Sequence, residues 1–118
     1  MRKILPLLML MFAAFTATAQ SVSYNGVRQD VILDVRTPAE FALGHIQGAV
    51  NIPLDRLTSE QALNGIDKNA QILVYCRSGR RSAEARQRLK QQGFQHVHDG
   101  GGMTALESKL KACDARQC

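Results

Sequence analysis

An α/β domain built on a mainly parallel open sheet, with helices on both faces, is the architecture this sequence predicts. Beyond residue 20, short apolar runs alternate with segments of helical spacing, the order of strand–helix–strand units. One run, Ile72-Leu73-Val74-Tyr75-Cys76, is unbroken and rich in β-forming residues. A strand buried on both faces of a parallel sheet reads that way.

Residues 1–19 stand apart. Arg2 and Lys3 precede an apolar stretch over residues 4–15, and Ala17-Thr18-Ala19 supplies small residues before Gln20. This is the order of a secretory signal peptide, and the apolar run is short for a membrane span. The expectation is cleavage, export to the periplasm, and one domain over residues 20–118 with no membrane attachment. An uncleaved anchor is the alternative.

The domain then reads in order. Residues 20–30 are polar, with a short edge strand over 21–24 and a turn at Asn25-Gly26. Val31-Ile32-Leu33 is a core strand ending at Asp34. Thr37 caps a short helix, with Pro38 in its first position and Glu40 completing a capping box. Gly44 stops it. A short strand over 49–52 ends at Pro53, and residues 54–63 read as a helix stopped by Asn64-Gly65. The cysteine strand follows, then a helix over 82–92 with Ala85 and Leu89 on its apolar side and Gly93 as its cap. Residues 94–97 make a last strand and 98–102 a glycine-rich turn. Met103, Leu106 and Leu110 share the face of a final helix. No repeat, linker or low-complexity tract interrupts this order.

Without residues 1–19 the chain keeps 13 basic against 10 acidic residues. That mild surplus, with no basic aromatic-interleaved patch, gives no reason to expect a nucleic acid partner. Part of it sits at Arg77, Arg80 and Arg81, which suits a small anion.

The stretch after Cys76 carries the chemistry. Arg77, Ser78, Gly79, Arg80, Arg81 and Ser82 follow a cysteine at the carboxyl end of a strand, where open α/β sheets build their sites. Gly79 permits unusual backbone angles, and successive N–H groups can converge there on one point. The helix beyond aims its positive end at the sulfur. These features favour the thiolate, which is the nucleophile. The plain alternative is a small buried hydrophobe. Cys113 and Cys118 lie close together in sequence and, in an oxidising compartment, are the candidate disulfide, leaving Cys76 free. A resolving thiol is their other reading. No metal site is expected, because no ligand cluster accompanies them.

Four stretches together resemble the rhodanese (sulfurtransferase) domain. They are Asp34-Val35-Arg36-Thr37-Pro38-Ala39-Glu40-Phe41, then residues 44–53 from Gly44-His45 to Ile52-Pro53, then Val74 to Ser82 around Cys76, then His98-Asp99-Gly100-Gly101-Gly102-Met103. They occur in the family's order and spacing across nearly all of residues 20–118. The size and leader are similar to the family's small periplasmic single-domain members. One departure is Leu106, where the family often has Trp. Cys113 and Cys118 also fall outside its pattern.

The resemblance implies a rhodanese-like fold and transfer of sulfane sulfur from thiosulfate, or a similar anionic donor, through a Cys76 persulfide. Cyanide or a thiol is the implied acceptor, with a protein acceptor left open. No cofactor is required and a monomer is expected. Asp34 and Arg36, at the end of a neighbouring strand, are expected to brace the cysteine loop, with a weak surface ion pair as the alternative. His45 is read as ordering its turn, since a low-pKa thiolate needs no base. His96 and His98 are read as a strand end, not as metal ligands.

Two rivals bear on this reading. A cysteine-dependent phosphatase or arsenate reductase closes its loop with Arg six positions after the cysteine, and that position is Ser82 here. A sulfur-carrier or binding module that does not turn over is the other.

Overall fold

The structure, a computed structural model, describes residues 21–59 and 61–113. The leader, Cys118 and the side chain of Cys113 lie outside the described residues, and so does the candidate disulfide.

The hydrophobic pattern dictates a central sheet of four strands. These are β3 (Val31–Asp34), β4 (Val50–Asn51), β5 (Gln71–Cys76) and β6 (His96–Gly102). They lie in the order β4-β3-β5-β6 and every pair is parallel. Side chains along β5 alternate between two cores. Ile72, Val74 and Cys76 point to one, beside Ala85 and Leu89 of helix α2 (Arg80–Gln91). Leu73 and Tyr75 point to the other, with Ile32, Ile46 and Leu106 of helix α3 (Met103–Lys109). Both faces are covered, so β5 has no polar side to display. Each such buried apolar side chain stabilises the fold by about 1.5–3 kcal/mol.

The register sets the site. Asp34 lies opposite Tyr75 and Cys76 opposite Gly102, so three strand tips meet at one sheet end. Helix α1 (Pro38–Leu43) starts as the sequence predicts. Thr37 Oγ1 accepts from the Glu40 N–H, and the Glu40 carboxylate accepts from the Thr37 N–H.

Four expectations need correction. Residues 54–63 form only a 3-10 turn (Leu54–Arg56) followed by irregular chain. Leu57 and Leu63 still bury in the core, while Arg88 and Gln92 of α2 donate to the Leu54 and Leu57 carbonyls. Carbonyls met from outside do not need a helix. Helix α2 begins at Arg80, two residues early, because Gly79 at φ 98° turns the chain into it. The glycine-rich segment 98–102 is strand, not turn. Glycine has little β-propensity, but a Cβ at Gly102 would lie 2.8 Å from the Arg77 carbonyl oxygen. Close backbone approach selects the glycine.

The fourth correction is a second sheet. Strand β1 (Ser21–Tyr24) is not an edge but the middle of an antiparallel sheet, between β2 (Val27–Gln29) and β7 (Lys111–Cys113). Asn25 and Gly26, both at positive φ, form the β1–β2 hairpin turn.

Candidate active site

Cys76 ends β5, and the chain turns back over it before α2. The left-handed Gly79 aims its own N–H at the sulfur, 2.9 Å from Sγ. The Ser82 hydroxyl and the N–H groups of Ser82 and Ser78 also bond to Cys76. Ser82 is itself fully buried, and its Oγ lies 3.0 Å from the Gly79 carbonyl. Burial is the strongest single influence on the thiol and pushes its pKa up. The Ser82 hydroxyl, followed by the Ser82, Gly79 and Ser78 amides, outweighs it and holds the thiol below its ordinary value. The nucleophile is poised as a thiolate with no general base.

Cys76 has no solvent-exposed surface. The sulfur is sealed beneath the turn, so a donor reaches it only when that turn gives way. Its outer residues, Arg77 and Ser78, are exposed.

The three arginines divide. Arg77 and Arg80 are exposed and carry no ion pair among the described residues. Arg81 instead forms a two-pronged pair with Glu40 of α1, at 2.7 and 3.0 Å. Hydrogen bonding from Arg81 is the main reason the Glu40 carboxyl falls to about 2. The capping residue of α1 is thereby tied to the first turn of α2. Local patterns hold no sign of this bond, since the partners are 41 residues apart.

Asp34 and Arg36 form a buried unit, not a surface pair. The Arg36 Nη2–Asp34 Oδ2 distance is 2.6 Å, and Arg36 Nε also donates to both carboxylate oxygens. The Tyr75 hydroxyl donates to Asp34 at 2.8 Å and accepts from the Ile46 N–H at 3.0 Å. Arg36 reaches the Gly44 carbonyl at 2.6 Å, and the Asn51 amide donates to the carbonyls of Asp34 and Arg36. These bonds brace segment 44–51, the wall beside the cysteine turn, and not the turn itself. Tyr75 and Asn51 are the members that pattern reading passes over. An Asn after an apolar pair at a strand end was the available signal.

The remaining candidates lie apart from the sulfur. His45 Nδ1 sits 2.9 Å from the Phe41 carbonyl and its ring stacks on Phe41, which orders the end of α1. His98 Nε2 is 2.7 Å from Gln71 Oε1, and burial, then the charge of His96, holds its pKa below the ordinary value. Among the described residues no three His, Cys, Asp or Glu side chains group as metal ligands. Leu106 is fully buried beneath Gly100 and Leu73, part of the core beside α3. A cleft of about 340 Å³ opens next to the turn, with Arg36, Glu40, Leu43, Arg77 and Met103 in its walls.

A cysteine sulfur held by converging amides at a parallel strand tip is the arrangement that comparison with known proteins also finds. The rhodanese-like domain profile matches residues 19–109. The chain belongs to the rhodanese-like domain family. It is 41% identical over 71 residues to the thiosulfate sulfurtransferase PspE of Escherichia coli, covering 60% of this chain and 68% of that protein. It is 38% identical over 85 residues to the thiosulfate sulfurtransferase GlpE of Ectopseudomonas mendocina, covering 70% and 73%. A solved rhodanese with anions from E. coli superposes with a TM-score of 0.61 at 35% identity, over 70% of this chain and 98% of that one. The fold and a general sulfur-transfer chemistry, with a sulfur donor and an acceptor, follow from this membership.

Proposed function

We propose that this rhodanese-like chain is a thiosulfate sulfurtransferase that works through a persulfide on Cys76. The observation that carries the reading is the ring of donors on one sulfur: the Gly79 N–H at 2.9 Å, with Ser82 and Ser78 beside it. Relatives that share this stretch bear thiosulfate sulfurtransferase as their names.

The Cys76 thiolate attacks the outer sulfur of thiosulfate. The S–S bond breaks, sulfite leaves with the bonding pair, and the sulfane sulfur remains on Cys76 as an anionic persulfide. Cyanide or a thiolate then attacks that sulfur. Thiocyanate or a new persulfide departs and the Cys76 thiolate returns. The amides and the Ser82 hydroxyl face negative charge in both states, so the loop serves as a preorganised anion cradle. Arg77 and Arg80, free of partners in the chain, draw the donor in. Asp34 and Arg36 hold the adjoining wall. The leader over residues 1–19 supports a periplasmic location, and a monomer suffices for the chemistry.

The buried thiol gives the sulfur-carrier reading its one support, since shelter suits a stored persulfide. Turnover separates the two. Purified protein supplied with thiosulfate and cyanide is expected to release thiocyanate continuously, and Cys76→Ala to release none. Equal thiocyanate from that variant would overturn the proposal. One stoichiometric burst from the native chain would favour the carrier.

A further inference from the structure

We infer that the cleft between the end of α1 and the start of α3 seats the sulfur acceptor, and that it favours a small thiol carrying an anionic group on an apolar chain. The inference rests on the persulfide chemistry proposed above and adds the class of its second substrate.

The cleft adjoins the sulfur by chain connectivity. Arg77 in its wall follows Cys76, and Met103 in its wall follows Gly102, the residue paired with Cys76 across the sheet. Its volume, about 340 Å³, falls in the range of small-molecule sites. Thiosulfate and cyanide are small, polar ions that gain nothing from apolar walls. Yet Met103 lines one side, and Leu43, 91% exposed, stands at the other. A second, partly apolar substrate is what such walls fit.

The charges in the cleft select its sign. Arg36 is held by Asp34 and the Gly44 carbonyl. Glu40 is matched by Arg81. Arg77 is the cleft cation without an ion pair among the described residues. One free cation beside two apolar side chains complements one carboxylate on an aliphatic body. In the transfer, the bound thiolate attacks the terminal sulfur of the Cys76 persulfide. The S–S bond breaks, Cys76 leaves as thiolate, and the acceptor departs as the persulfide.

The test uses the full-length chain, loaded with thiosulfate and desalted, and follows loss of the added sulfur by intact mass. The acceptors are mercaptohexanoate, mercaptohexanol and mercaptoethanol, whose aliphatic thiols have similar basicity. Mercaptohexanoate is expected to discharge the persulfide ~10-fold faster than mercaptohexanol, the worth of one charge-assisted hydrogen bond. Arg77→Gln should erase that preference. Leu43→Ser should slow both hexyl thiols ~3-fold or more while leaving mercaptoethanol and cyanide unchanged. Equal discharge by the two hexyl thiols, or a Leu43→Ser chain that behaves as native, would overturn the inference while leaving the persulfide reading intact. Failure to load sulfur at all would instead sink that reading, and the inference with it.

Discussion

Replacing Glu40 by Gln tests how the two helices beside the sulfur are tied together. The carboxylate takes two bonds from Arg81, at 2.7 and 3.0 Å, and further bonds from Thr37. Its pKa falls from the ordinary 4.5 to about 2, chiefly through Arg81. Unscreened, that fall is worth ~3 kcal/mol. The Arg81 and Glu40 side chains are 31% and 24% exposed, and water screens such a pair, so ~1–2 kcal/mol is the expected loss at neutral pH. The sign follows from the depressed pKa. The stabilisation is complete above the unfolded value of 4.5 and disappears as the pH falls to about 2. Urea denaturation of both chains at neutral pH and at about pH 3 should show the gap shrinking by more than half. Arg81, released from Glu40, should also lower the KM for thiosulfate. A gap that stays constant with pH, or no gap at neutral pH, would refute the reasoning.

Three further outcomes are expected. Asp34→Ala strands the Arg36 guanidinium and the Tyr75 hydroxyl in the interior, so it should cost ~3–5 kcal/mol in the same denaturation assay. Gly102→Ala puts a Cβ 2.8 Å from the Arg77 carbonyl oxygen. It should push the cysteine turn outward and cut thiosulfate loading, measured as kcat/KM, ~10-fold or more, with the far-UV circular dichroism unchanged. Ser82→Ala removes the foremost of the donors that lower the Cys76 pKa. The pH profile of Cys76 alkylation should move to higher pH, and an unmoved profile would show that the hydroxyl does not serve the thiolate.

What the chain revealed of itself depended on range. Strand β5, the capping box at Thr37–Glu40 and the glycine turn after Cys76 are written in neighbouring residues, and local spacing reports them. The antiparallel sheet is not local. Its strands β1 and β7 come from opposite ends of the described chain, and β2 exposes Val27, so no alternation marks it. The glycines of 98–102 mislead because their strand is chosen by close approach to Arg77, not by propensity. Residues 54–63 carry helical spacing, but α2 side chains take over carbonyls that a helix would use. At the site, the cysteine and its turn were legible, while the division of the arginines was not. Composition shows three like charges, and only the tertiary fold commits Arg81 to Glu40.

The most direct measurement is the intact mass of the chain after brief exposure to thiosulfate. The account predicts that the native protein gains the mass of one sulfur atom, that cyanide removes it, and that Cys76→Ala gains nothing. An unchanged native mass, or the same gain in the chain lacking Cys76, would contradict it.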